Sequence, residues 1–110
     1  MKYLLSAMIA VSLLIGCVQK QEYRTATIKA NSMVCGSCAK NIEKAVYRVE
    51  GVKQVDVDLK TKIVSVRFVP AQTNVETIEM AISDAGYDAN SRKRNLEAYE
   101  KLDACCKIDG

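Results

Sequence analysis

Apolar and polar positions alternate from the start of the folded stretch: Ala26, Ile28 and Ala30 fall on one face and Thr27 and Lys29 on the other, which predicts a β-strand over Thr25–Ala30. From Cys38 the period lengthens. Ile42, Ala45, Val46 and Val49 recur at spacings of three and four, with Lys40, Glu43, Lys44 and Arg48 opposite them, so an amphipathic helix is expected, stopped by Gly51. The period then returns to two. Val55, Val57 and Leu59 alternate with polar residues, as do Val64, Val66 and Phe68, and Lys60-Thr61-Lys62 joins the two runs as a hairpin. After Pro70, Val75, Ile78, Ala81, Ile82 and Ala85 mark a second helix, capped by Thr73 or Asn74 and ended by Gly86. Tyr87–Ala89 is short enough for a last strand.

This order over residues 24–91 is βαββαβ, the ferredoxin-like α+β arrangement: a four-stranded antiparallel sheet with two helices on one face. Residues 92–110 extend beyond it. There Leu96, Tyr99 and Leu102 predict a short helical tail, and Arg92-Lys93-Arg94 reads as a solvated turn.

The first residues follow a different pattern. Met1-Lys2 is a short basic start, Tyr3–Ile15 is an almost unbroken apolar run, and Leu14-Ile15-Gly16-Cys17 closes it. This resembles the lipobox of bacterial lipoproteins. The resemblance implies that residues 1–16 are a signal peptide, that Cys17 is acylated, and that residues 17–23 tether an exported domain to the bacterial membrane, facing the periplasm or cell exterior. An ordinary secretory signal is the alternative.

Charge excludes one class of partner. The chain has 16 basic and 13 acidic residues and no histidine, and loss of residues 1–16 removes only Lys2, so the net charge is close to neutral and nucleic acid is not expected. A small domain with no histidine and no deep cleft is also a poor frame for an enzyme, and none is expected.

Five cysteines carry the chemistry: Cys17, Cys35, Cys38, Cys105 and Cys106. Cys35 and Cys38, in Met33-Val34-Cys35-Gly36-Ser37-Cys38, stand where the first strand gives way to the first helix. A two-residue spacer lets both sulfurs converge on one ion, and the amides of the first helical turn, toward which Cys38 is expected to point, favour a thiolate. No carboxylate or imidazole stands beside them. A sulfur-only donor set of low coordination selects Cu(I) and similar soft ions over hard ones.

Met33-x-Cys35-x-x-Cys38, the surrounding βαββαβ order and Ala85-Gly86-Tyr87 resemble the heavy-metal-associated domain, found in copper chaperones, metal-pumping P-type ATPases and periplasmic mercury-binding proteins. The resemblance implies that Cys35 and Cys38 are the metal ligands, that Met33 is a buried anchor, and that Tyr87 faces and tunes the site. It also implies a cargo of Cu(I) or Hg(II), with Zn(II) and Cd(II) admitted, passed to a metal transporter or another metal-binding protein. Ser32 departs from the family, which usually has glycine there. The alternative is a thiol-disulfide redox protein using the same pair. Cys105 and Cys106, whose adjacent side chains are expected to diverge, remain as additional thiols: one of them could close over the pair, or both could serve another chain.

Overall fold

The computed structural model describes residues 22–107. Its elements are β1 (Arg24–Lys29), α1 (Gly36–Tyr47), β2 (Val52–Asp58), β3 (Ile63–Phe68), α2 (Val75–Asp84), α3 (Leu96–Glu100) and a 3₁₀ turn (Ala104–Cys106). No helix among the described residues is long and apolar enough to cross a membrane. The signal-peptide stretch and Cys17 lie outside the described residues.

β3 is central, antiparallel to β1 on one side and β2 on the other. Ala26 and Val55 flank Val66, and Ile28 and Val57 flank Val64, so the alternation read from the sequence becomes one apolar sheet face. Ile42 and Val46 of α1 and Ile78 and Ile82 of α2 pack on that face in a single core. Each fully buried Ile or Val contributes about 1.5–3 kcal/mol, which holds both helices to the same side.

The element ends have local causes. Asn74 caps α2, its Oδ1 accepting the Thr77 N–H at 2.8 Å. Asp58 ends β2, its Oδ1 accepting the N–H groups of Lys60 and Thr61 at 2.9 and 3.2 Å. The chain therefore turns one residue earlier than the alternation suggests. Leu59, expected on the core face, is 40% exposed as a result.

The expected fourth strand at Tyr87–Ala89 is reduced to contacts at the edge of β1, and among the described residues the sheet has three strands. Asn90 explains the shortfall. Its N–H donates to the Lys29 carbonyl at 2.8 Å, and its side-chain Oδ1, rather than its own carbonyl, accepts the Lys29 N–H at 2.9 Å. Asn90 has φ of 55°, so the chain leaves the sheet there and folds into an isolated bridge between Ala89 and Arg92.

Candidate metal centre

The loop between β1 and α1 is built on buried anchors. Met33 is fully buried in the core, and its N–H donates to the Ala30 carbonyl at 3.1 Å, turning the chain so that Cys35 reaches the rim of the core. Ser32 is also buried. Its Oγ accepts the Asp88 N–H at 2.8 Å and ties this loop to the segment that carries Tyr87. A glycine would offer no such acceptor.

Cys35, not Cys38, occupies the N-cap of α1, with extended backbone and its carbonyl accepting from the N–H groups of Cys38 and Ala39. Cys38 is the third residue of the helix, within its first turn, and is fully buried. This corrects the expectation that Cys38 points into the free amides: a residue already in the helix directs its side chain away from the axis, and the extended N-cap residue faces the helix end. The two sulfurs lie 3.2 Å apart.

Tyr87 is fully buried, and its hydroxyl accepts a hydrogen bond from Asn41 Nδ2 at 3.0 Å. Burial pushes its phenol well above the usual tyrosine range; the Asn41 bond opposes this, and contact with the Cys38 and Cys106 thiols adds to it. Tyr87 is therefore a neutral wall against the sulfurs. Asn41 was not singled out from the sequence, where it is one polar residue in an amphipathic helix.

The tail comes back across the domain. Ser83 Oγ donates to the Lys93 carbonyl at 2.7 Å, the Asn95 N–H donates to the Ser83 carbonyl at 2.9 Å, and the Arg94 N–H donates to Asp88 Oδ1 at 2.9 Å. Arg94 also places its guanidinium 3.7 Å from Asp88 and stacks 4.1 Å from the centre of the Tyr99 ring. It is thus half-buried and structural, whereas Arg92 and Lys93 are exposed, as expected of a solvated turn. Tyr99 and Leu102 pack inward, whereas Leu96, expected on the same stripe, is the first residue of the helix and is 68% exposed.

After α3, the Cys106 N–H donates to the Asp103 carbonyl at 2.8 Å, and this tight turn brings the adjacent cysteine side chains to one side. Their sulfurs are 3.9 Å apart instead of diverging. Cys105 Sγ lies 3.4 Å and Cys106 Sγ 3.3 Å from Cys35 Sγ. Cys105 is exposed, Cys106 is fully buried, and all four thiols are free.

Cys35 is the hub of this cluster and carries its first charge. Burial works against ionisation there, but the Cys38 thiol, the Cys38 N–H, and then the Cys106 and Cys105 thiols outweigh it and bring Cys35 down to about 6. Burial pushes the Cys106 thiol up, and the neighbouring Cys38 and Cys35 sulfurs add to the effect. One thiolate surrounded by thiol donors is a nucleophile and a soft-metal ligand in waiting.

Comparison with known proteins places the geometry in context. The heavy-metal-associated domain pattern matches residues 27–88, more than half of the chain. A mercuric transport protein periplasmic component from Pseudomonas aeruginosa is 36% identical over 70 residues, spanning 64% of this chain and 77% of that protein. A probable copper-exporting P-type ATPase from Archaeoglobus fulgidus is 41% identical over 61 residues, which is 56% of this chain and 8% of the pump. Among solved structures, oxidized MerP from Ralstonia metallidurans CH34 superposes with a TM-score of 0.61 at 36% identity, covering 63% of this chain and 96% of that one. The family match stops before Arg94, α3 and the paired tail cysteines. With its α+β fold, its Cys35/Cys38 loop and these relatives, the chain belongs to the heavy-metal-associated domain family.

Proposed function

We propose that this protein is a noncatalytic carrier that holds one soft metal ion through Cys35 and Cys38 outside the cytoplasm and hands it to a transporter or another metal-binding protein. The observation that carries the reading is the pair of free sulfurs 3.2 Å apart at the start of α1, one of them with its pKa lowered to about 6. A thiolate already present at neutral pH binds a soft ion without waiting for deprotonation, and sulfur donors favour Cu(I) and Hg(II), with Zn(II) and Cd(II) weaker candidates. The relatives support those two ions through their names, a mercuric transport component and a copper-exporting pump.

In the transfer step an incoming partner thiolate attacks the bound ion. A three-sulfur intermediate forms, and Cys35 and Cys38 leave in turn. Met33 anchors the loop from below and Tyr87 walls it on the core side, so the ion is offered at the exposed rim. Residues 1–16 are assigned as a lipoprotein signal, Cys17 as the acylated anchor, 17–23 as the tether, 24–91 as the metal-binding domain and 92–110 as its extension.

The test is metal stoichiometry and competition titration on the reduced chain lacking residues 1–16. One Cu(I) or Hg(II) per chain is expected, with tight binding lost in Cys35→Ser and in Cys38→Ser while the fold persists. Undiminished affinity in both single variants refutes the assignment. Turnover with a disulfide reductase, and no stoichiometric metal, would make the pair a redox couple instead.

A further inference from the structure

The paired tail cysteines lie beyond the family match, yet the fold drives them to the same point as Cys35 and Cys38. We propose that Cys105 and Cys106 are ligands of the same ion, completing a cage of at least three thiolates with Cys35 as the shared member, and that the tail is a latch holding the cargo until a partner's thiolates replace it. The inference rests on the carrier reading above.

Three sulfurs, those of Cys35, Cys105 and Cys106, lie within 4.8 Å of one another, and Cys38 Sγ is 3.2 Å from Cys35 Sγ. For metal–sulfur bonds of about 2.3 Å, a linear two-coordinate ion separates its sulfurs by about 4.6 Å, a trigonal one by about 4.0 Å and a tetrahedral one by about 3.8 Å. The four separations here, 3.2, 3.4, 3.3 and 3.9 Å, are nearer the crowded arrangements than the linear one. Linear coordination by Cys35 and Cys38 alone requires that pair to open by more than 1 Å from its 3.2 Å separation. A trigonal site of Cys35, Cys105 and Cys106 asks those pairs, at 3.4, 3.3 and 3.9 Å, to open by only about 0.1–0.7 Å.

The placement of the tail is built rather than incidental. The Ser83 hydroxyl and carbonyl and the Asp88 carboxylate fix the connector by hydrogen bonds to its backbone at Lys93, Asn95 and Arg94, and Tyr99 and Leu102 bury it. Glu100 and Lys107 pair at 3.8 Å on either side of the cysteines. Cys106 is fully buried beside Cys35 and Tyr87, so its thiol faces the other sulfurs rather than solvent. Because the ligands belong to the same chain, their effective concentration at the ion far exceeds that of any free thiol. Such a cage favours ions that accept three or four thiolates and slows their release.

The experiment uses the reduced chain lacking residues 1–16, with Cd(II) as probe. Binding is followed by sulfur-to-metal charge-transfer absorbance and competition with a chelator, and the sulfur count by X-ray absorption. Three or four sulfurs are expected in the wild type. In C105S/C106S, binding of one ion persists, the sulfur count falls to two, affinity falls at least about tenfold, and transfer to an added dithiol accelerates. Because Cys106 is buried, C105S alone and truncation after Asp103 are measured alongside, with circular dichroism to verify folding; loss of one sulfur in C105S supports the cage by itself. Unchanged affinity and sulfur count in the double variant and the truncation overturn the latch while leaving the carrier reading intact. Undiminished binding in both C35S and C38S overturns the carrier reading, and the cage with it.

Discussion

Gly86 joins the metal domain to its tail, and Gly86→Ala should separate the two. The residue closes α2 in a Schellman turn: its N–H donates to the Ser83 carbonyl at 3.0 Å, and the Tyr87 N–H donates to the Ile82 carbonyl at 3.3 Å. This requires φ of +101°, where an L side chain costs about 1–3 kcal/mol. A Cβ here would also sit 3.0 Å from the Tyr99 nitrogen and 3.1 Å from Ala98 C and Tyr99 Cα. Those are backbone atoms of α3 and cannot rotate away, so α3 must lift and loosen Tyr99. About 0.4–1 kcal/mol returns through the stiffer unfolded chain.

The net loss is therefore about 2 kcal/mol, which in a domain of this size lowers Tm by roughly 8–16 °C. Two assays read it: thermal unfolding by circular dichroism, and the reaction rate of Cys106 with an aromatic disulfide on the metal-free protein. The expected result is a lower Tm together with faster modification of Cys106, since the lifted helix uncovers it. A Tm within about 2 °C of wild type, with Cys106 still protected, would refute the reasoning.

Other consequences are equally direct. Alkylation of Cys35 by iodoacetamide should inflect near pH 6 in the reduced, metal-free protein, and an inflection at the ordinary thiol value would remove the hydrogen-bonded thiolate from the argument. The sign for stability follows: the folded pKa lies below the unfolded one, so the contribution of Cys35 is complete above about pH 8.5 and is lost as pH falls through about 6. Ser32→Ala leaves the Asp88 N–H without its acceptor and should cost about 1–3 kcal/mol in urea unfolding; a change below about 0.5 kcal/mol would show that the contact is incidental. Cys17→Ser in the precursor should abolish membrane attachment and fatty-acid labelling, and a wild-type chain recovered soluble and unacylated removes the anchor.

The sheet was readable because the buried positions of β1 and β3 (Ala26, Ile28, Val64, Val66 and Phe68) are all apolar and alternate, so a period of two has one solution. The fourth strand was not, because its failure depends on Asn90 taking a left-handed conformation and offering its side chain in place of its carbonyl. Cys35 and Cys38 were legible as a pair, but which of them carries the thiolate depends on where the first helical turn begins, a difference of two residues. The tail was hardest to read. Tyr99 and Leu102 marked its helix, but where it docks also depends on the missing Cβ of Gly86, a backbone carbonyl at Lys93 and a carboxylate at Asp88, none of which leaves a hydrophobic pattern. Ser83 was the nearest signal: a hydroxyl beside Ile82 on the core-facing side of α2 is a polar group in need of a partner, which the structure supplies at the Lys93 carbonyl.

Residues 86–88 bind the two halves of the centre together. Gly86 receives α3, Tyr87 walls the sulfurs and bonds Asn41, and Asp88 holds Ser32 through its N–H and Arg94 through its carboxylate. The loop that carries Cys35 and the tail that carries Cys105 and Cys106 thus share one rigid support of three residues. With the latch proposal, this support makes tail docking and cargo binding reciprocal: whatever free energy the docked tail adds to metal affinity, the bound metal returns to docking. A partner that lifts α3 weakens the site before it touches the ion, so recognition and release become one event. A carrier with only Cys35 and Cys38 must rely on the partner's thiolates alone for that step.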